Sequence, residues 1–183
     1  MGAAPKEKEQ KGRTVVLAVD ESPASQSAVR WAADMVLLPS DVLHMVSVLE
    51  PATRPDFSAA GEAVWPLGDP DVCTADPEKL ERACAFLKRC REEAQRAGVR
   101  DVRLSTLVSC VGGSSDLGRH LCEHAAAVNA DLVITGSRGM GAAQRAVLGV
   151  FGLGSVSDYV LKHAQVPGVL VHKSGPARGD GEA

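Results

Sequence analysis

The sequence predicts an α/β protein with an open, doubly wound sheet of five parallel strands, in the order 3-2-1-4-5, and helices on both faces. Short apolar runs alternate along the chain with longer stretches of helical period, which is the pattern of right-handed βαβ crossovers. The first run, 14–19, is continuously apolar, as expected of a parallel strand covered on both faces. The chain has 183 residues, of which 45% are hydrophobic and 23% charged, and this suits one such domain.

The individual elements follow from local signals. In the first helix, Ser22 suits the N-cap and Pro23 suits the first turn. Gly98 suits the position just after the second helix. Either Ser114 or Ser115 would cap the third helix. The predicted strands are 14–19, 42–48, 102–108, 131–135 and 169–172. The predicted helices are 23–38, 78–97, 114–128 and 155–163. The inner face of the second helix is predicted to carry Leu80, Cys84, Leu87 and Cys90 or Arg91.

Polar or proline-rich segments flank and interrupt these elements. We expect one domain over 13–173, with disordered tails at 1–12 and 174–183, because both ends are polar. The segment 51–77 carries five prolines and is predicted to be a long surface loop.

Composition excludes several classes of function. The net charge of −3 and the six aromatic residues argue against a nucleic-acid binder, which needs basic surface or stacking platforms. No apolar run is long enough to cross a membrane, and the first residues lack the apolar core of a secretory signal. The five cysteines form no C-x-x-C pair, so we expect reduced thiols in a cytoplasmic protein.

The glycines are gathered in one stretch. Six of the 18 lie in 136–154, between the fourth strand and the fourth helix. Glycines let backbone N–H groups approach an anion closely, the amides at Gly154 and Ser155 would open a helix, and Arg138 adds a positive charge. The stretch therefore favours phosphate binding over a merely mobile loop. It lacks the lysine of a P-loop, and no G-x-G-x-x-G follows the first strand, so a P-loop NTPase and a dinucleotide dehydrogenase are both disfavoured.

Two further groups of residues are candidates. Asp20 ends the first strand and would face Gly136 across the crevice of the sheet, where its carboxylate could accept hydrogen bonds from a ribose or a base, or cap the following helix. His120 and His124 stand one helical turn apart and could form a metal pair. A solvated helix face is the favoured interpretation of these histidines, because a third ligand is not evident from the sequence.

Several segments together resemble the universal stress protein family of the UspA type, over residues 13–173. The segments that carry the resemblance are Val15-Val-Leu-Ala-Val-Asp-Glu-Ser22, Trp31-Ala-Ala33, Asp131-Leu-Val-Ile-Thr-Gly-Ser-Arg-Gly139, Gly154-Ser-Val-Ser-Asp-Tyr-Val160 and Val166-Pro-Gly-Val-Leu-Val171. Their wording is most similar to plant and green-algal members. The resemblance implies the adenine nucleotide alpha hydrolase-like fold.

The family's ATP motif, G-x2-G-x9-G-[S/T], is matched with one departure. Gly136 and Gly139 fit its first part, but Gly149, nine residues on, is followed by Val150. The glycine–serine pair begins at Gly154, so the phosphate loop carries a five-residue insertion.

The resemblance also implies residue roles. Asp20 and Ser22 would hold the nucleoside, and Val48 would contact the adenine base. Ribose and phosphates would be held by Thr135, Gly136, Arg138, Gly139, Gly154, Ser155 and Val156.

These residues lead to one expected function and two alternatives. We expect an ATP-binding protein with a stress-response or signalling role, whose nucleotide binds with or without Mg²⁺. We do not expect an enzyme, and no catalytic residue is assigned, although slow ATP hydrolysis would be compatible with this function. The family commonly dimerises through its last strand, so we expect a homodimer. The first alternative is a dimeric interaction module of the same fold that binds no nucleotide. The second is an enzyme of the wider nucleotide-binding group, for example an adenylyl-transferring one.

Overall fold

The computed structural model describes residues 12–52, 56–57, 63–64, 74–110, 113–136 and 155–171. The predicted tails lie outside this part of the chain, apart from residue 12. The strands of the described part are β1 (Thr14–Ala18), β2 (Val42–Leu49), β3 (Asp56–Phe57), β4 (Ala63–Val64), β5 (Asp101–Val108), β6 (Leu132–Gly136) and β7 (Gly168–Val171). Its helices are α1 (Pro23–Met35), α2 (Pro77–Arg96), α3 (Ser114–Ala127) and α4 (Ser155–His163).

The main sheet has five parallel strands in the order β5-β2-β1-β6-β7. Counted along the chain without the short pair β3–β4, this order is 3-2-1-4-5, so the predicted fold class is confirmed. The pair β3–β4 is antiparallel and lies within the segment predicted as a long loop.

The core consists of two apolar layers, one on each face of the sheet. Because side chains alternate along a strand, Val15 and Leu17 join the layer under α1 and α2, whereas Val16 joins the layer under α3 and α4. Leu87 of α2 belongs to the first layer and Val160 of α4 to the second. Burial on both faces explains why the strands read as continuous apolar runs.

Two helices differ from their predicted form. The helix α1 ends at Met35 rather than at residue 38, and Met35 is 71% exposed. On α2, Leu87 and Cys90 are buried as predicted, but Leu80 is 36% exposed and Phe86 is buried instead. The apolar stripe of α2 is therefore rotated from the predicted one, because packing against α1 and β5 selects the buried face.

The caps were predicted correctly for α1 and wrongly for α3. Ser22 is the N-cap of α1, and its hydroxyl accepts a hydrogen bond from the Ser25 backbone N–H. At α3 the N-cap is Gly113, which has a φ of +85° and makes no side-chain capping bond. Glycine adopts this left-handed backbone without a Cβ penalty, so the helix begins without a serine cap.

A buried carboxylate fixes the amino ends of β1 and β2. Asp41 is 1% exposed and forms an ion pair with Arg13, with 2.6 Å between Nη2 and Oδ2. The backbone N–H groups of Arg13 and Leu38 also donate to it, at 3.1 and 2.9 Å. Burial raises the pKa of Asp41, but these hydrogen bonds outweigh burial and hold that pKa below its ordinary value.

The cysteines do not all follow the prediction of reduced thiols. Cys84, Cys90 and Cys122 are free, whereas Cys110, just after β5, is disulfide-bonded. The prediction is wrong at Cys110 because spacing along the chain does not show which thiols the fold brings together. Separately, no helix of the described part is long and apolar enough to span a membrane.

Candidate functional site

The candidate site lies at the carboxyl ends of β1 and β6, two neighbouring strands of the sheet. The chain leaves β1 toward α1, which packs on one face. The helix that follows β6 in the described part is α4, which packs on the other face. Segments that diverge in this way open a crevice above the strand ends, and ligands of doubly wound proteins bind at this switch point.

Asp20 forms one side of this crevice and is held by the first turn of α1. Its Oδ1 atom accepts hydrogen bonds from the Ser22 backbone N–H at 3.1 Å, the Ser22 hydroxyl, and the Ser25 hydroxyl at 2.7 Å. The Asp20 backbone N–H in turn donates to Ser25 Oγ at 2.9 Å. The carboxylate is therefore oriented by two serines, of which the sequence analysis found Ser22 and missed Ser25. Ser25 could have been found from the sequence, because it lies three residues after the serine N-cap.

Thr135 and Gly136 form the opposite side of the crevice, at the end of β6. Thr135 is 4% exposed, and its hydroxyl is buried with no hydrogen-bond partner in the described part of the chain. The Gly136 carbonyl accepts a hydrogen bond of 2.6 Å from Ser157 Oγ, which ties the first turn of α4 to the strand end. A buried hydroxyl without a partner is costly, so an orphaned one at a strand end marks a place where a ligand or water can bind.

Aliphatic side chains line the same face of the sheet near the strand ends. Val48 of β2, Ala18 of β1 and Val156 of α4 are half-buried, and all three pack against the layer under α3 and α4. Thr135 lies two residues along β6 from Val133, so it points to this same face. The described part of the crevice thus combines an apolar wall with polar groups at its rim, as is typical of small-molecule sites.

The predicted site residues fall into two groups. The structure brings Asp20, Ser22, Val48, Thr135, Gly136, Ser155 and Val156 to the carboxyl end of the sheet or to the start of α4. Arg138, Gly139, Gly154 and the predicted insertion lie outside the described residues. The binding roles of both groups stay predictions.

A second carboxylate lies near this edge, at the start of α3. Asp116 accepts a hydrogen bond from the buried Ser109 hydroxyl, next to the end of β5, and pairs with Arg119. Burial raises the pKa of Asp116, but the bonds from Ser109 and Arg119 outweigh burial and lower that pKa. Asp116 is thus held as a carboxylate that already accepts hydrogen bonds, which suits fixing α3 better than taking up a proton.

The two histidines of α3 do not share one environment. His120 lies 3.6 Å from Asp116 and 3.4 Å from Glu123, whereas His124 contacts His44 of β2. In the described part of the chain, no three histidine, cysteine or acidic side chains are grouped so that they could hold a metal ion.

The fold and the crevice define the chain as a doubly wound α/β protein with a crevice at its switch point, the place where ligands of this class of protein bind. The universal stress protein family model matches residues 12–172, so the chain belongs to the universal stress protein family. The resemblance stated from the sequence is therefore confirmed.

Two curated relatives are universal stress proteins. Universal stress protein PHOS34 of Arabidopsis thaliana is 32% identical in an alignment 184 positions long, which covers 90% of this chain and 65% of that protein. A universal stress protein of Mycolicibacterium smegmatis is 29% identical over 177 residues, covering 91% of this chain and 50% of that protein. The chain thus spans about two thirds and half of the lengths of these relatives.

Solved structures share the fold at lower identity. A universal stress protein in complex with cAMP is 22% identical with a TM-score of 0.58, over 90% of this chain and 99% of that one. The Archaeoglobus fulgidus protein in complex with dAMP is 18% identical with a TM-score of 0.56, over 87% and 98%. UspA of Lactobacillus plantarum reaches a TM-score of 0.63 at 15% identity, over 88% and 98%.

Proposed function

We propose that the crevice binds an adenine nucleotide, with ATP as the ligand. The observation that carries this proposal is the Thr135 hydroxyl, which is buried without a partner at the end of β6. A ribose or phosphate oxygen of a bound nucleotide would supply the missing hydrogen bond. The solved complexes of family members with cAMP and dAMP support an adenine nucleotide as the ligand class.

The described residues suit the separate parts of such a ligand. Val48 and Ala18 offer aliphatic surface to a purine. This aliphatic surface takes the place of an aromatic stacking platform, because the chain has few aromatic residues. Asp20, fixed by Ser22 and Ser25, offers an oriented acceptor to a ribose hydroxyl. The amino end of α4 at Ser155 points its first N–H groups toward phosphates, where the helix dipole favours negative charge.

A calorimetric titration with a matched pair of variants tests this proposal. The parent chain is expected to bind ATP more tightly than GTP, and titrations with and without Mg²⁺ measure the contribution of the metal. Thr135→Val is expected to weaken ATP binding about tenfold, the value of one hydrogen bond of about 1.4 kcal/mol. The control is Thr106→Val, the same change on β5, which should leave affinity unchanged.

The same variants separate binding from folding. Because the Thr135 hydroxyl has no partner in the described part of the chain, Thr135→Val should not lower the free energy of unfolding. Failure of the parent chain to bind any adenine nucleotide would overturn the proposal and favour the interaction module without nucleotide. Equal affinity of parent and Thr135→Val would remove Thr135 from the site.

We also propose that the protein binds nucleotide rather than turning it over. Two of the carboxylates described at this edge, Asp20 and Asp116, already accept hydrogen bonds from serine and arginine groups, which favours orientation over proton transfer. Incubation with ATP should therefore release ADP or AMP slowly or not at all. Rapid release of either product would support the enzyme alternative instead.

A homodimer through β7 completes the proposal. In the described part of the sheet β7 is an edge strand that pairs only with β6, and its Val169 and Leu170 are half-exposed. Apolar edge strands are usually covered or paired. Light scattering should give twice the chain mass, and Leu170→Lys should shift the protein toward monomer. A monomeric parent chain would refute this part of the proposal.

We propose a stress-response or signalling role in the cytoplasm. Localisation of the tagged protein tests the compartment.

A further inference from the structure

Two histidines face each other where α3 packs on β2, away from the crevice. The rings of His44 and His124 have centroids 5.8 Å apart and planes inclined at 59°. His44 is 8% exposed, and His124 Nε2 is buried with no hydrogen-bond partner in the described part of the chain. The contact belongs to the layer in which Leu121 and Ala125 of α3 pack on the sheet.

The surroundings of both rings disfavour a positive charge. Burial lowers the pKa of His44 most, Arg103 of the neighbouring strand β5 and His124 lower it further, and Asp101 of β5 opposes them. Burial also lowers the pKa of His124.

The remaining elements around the pair supply little compensation. On α4, which packs on α3, Lys162 pairs with Asp158, and neither contributes to the pKa shift of His44 or His124. On its other side β2 pairs with β1, whose residue opposite His44 is the apolar Val16. On α3, His120 is one turn from His124 and has its own partners in Asp116 and Glu123. The acidic side chains of α3 are thus engaged with His120 and Arg119, and Asp101 is the acidic group that acts on the pair.

We propose that the His44–His124 contact makes the packing of α3 on β2 acid-sensitive, so that mild acid releases the C-terminal half of α3 before the rest of the fold. At pH 7.5 both rings are neutral and pack as apolar groups. When one ring takes up a proton, the charge is buried beside a second imidazole and Arg103. Separation of α3 from β2 exposes both rings to water and removes this penalty.

The sign follows from the direction of the shifts. Each folded-state pKa lies below the ordinary value near 6.5, so the released or unfolded state binds protons more readily. The contribution of the pair to stability is therefore fully present above about pH 6.5 and is lost as pH falls through and below that value. This property is independent of nucleotide binding, so either proposal can fail without the other.

Hydrogen exchange at pH 7.5 and 5.5 tests the proposal, with rates corrected for their intrinsic pH dependence. Amides of residues 121–127 in the parent chain should exchange about tenfold faster at pH 5.5 than the correction predicts, since pH 5.5 lies about one unit below the ordinary pKa of a released histidine. Amides of α2, on the opposite face of the sheet, should show no such excess. His124→Leu should abolish the excess in α3, whereas the control His163→Gln, an exposed histidine on α4, should retain it.

A second measurement covers the case in which His124→Leu fails to fold. Titration of the imidazole resonances in the parent chain should place the pKa values of both His44 and His124 below the ordinary value near 6.5, with the two titrations coupled. Two independent titrations near the ordinary value would overturn the proposal. So would an equal acid-induced excess in α2 and α3, or an excess that persists in a folded His124→Leu variant.

Discussion

Removal of the Arg13 side chain should strand the buried Asp41 carboxylate. In Arg13→Ala the carboxylate loses the bonds from Nη2 at 2.6 Å and Nε at 3.3 Å, and keeps those from two backbone N–H groups. Removing one partner of a buried ion pair costs about 3–5 kcal/mol. Because Arg13 is itself partly exposed and the backbone bonds remain, we expect the lower end, about 3 kcal/mol. For a chain of this size the melting temperature should fall by about 6–12 °C.

The pH dependence makes this prediction refutable. In the parent chain the pKa of Asp41 is held below its ordinary value, so its contribution is present above about pH 4 and lost as pH falls. In Arg13→Ala the pKa of Asp41 should be higher than in the parent chain, because the lowering effect of the guanidinium is gone, so the difference between the two proteins should shrink from pH 7 toward pH 3. Urea unfolding at both pH values measures it. A loss under about 1 kcal/mol at pH 7, as for an exposed ion pair, or a loss independent of pH, would refute the reasoning. Lys162→Ala, which breaks an exposed pair with Asp158, is the control.

Three further changes test the packing of the described part. Gly118→Val should lower the free energy of unfolding by about 2 kcal/mol, because a Cβ at this position would lie 2.7 Å from the Tyr159 ring; chemical denaturation measures it, and an unchanged value would refute the close contact. Ser25→Ala should cost about 1–2 kcal/mol, because it removes a hydroxyl that accepts from the Asp20 backbone N–H and donates to the Asp20 carboxylate. Ser27→Ala should cost less, because its hydroxyl makes an exposed bond to the Pro23 carbonyl, and equal losses would contradict the assignment. Burial raises the pKa of the Cys90 thiol to about 11, so its alkylation at pH 8 should be slower than that of the half-buried free thiols, and equal rates would exclude the buried position.

The strands could be predicted from sequence because burial on both faces leaves a strong local signal. The predicted strands 14–19 and 131–135 have continuously apolar runs at 15–19 and 132–134, and β1 and β6 lie there within a residue or two. Helix phase was harder to predict. The buried face of α2 depends on α1 and β5, so Phe86 replaced Leu80 on it, and the cap of α3 depends on a left-handed glycine rather than on a serine hydroxyl.

The candidate site could be predicted where a residue ends a strand or caps a helix. Asp20 and Ser22 have such positions, and the structure places them together. Thr135 came from the family resemblance, but its lack of a partner is a property of the fold and leaves no trace in the sequence. The contact between His44 and His124 could not be predicted from the sequence for a related reason. The two residues are 80 positions apart, and only the packing of α3 on β2 brings their rings together.

Asp20 links the stability of the turn after β1 to the geometry of the proposed site. Its Oδ1 atom accepts bonds from Ser22 and Ser25, and Ser22 also caps α1. The carboxylate is thus oriented before any ligand binds. Binding of a ribose hydroxyl therefore does not carry the entropic cost of ordering this acceptor. Because the same serines form the helix cap and hold the carboxylate, a change that loosens the cap also loosens the acceptor. In the proposed nucleotide complex, Ser25→Ala should therefore lower affinity and stability together, whereas Thr135→Val should lower affinity alone.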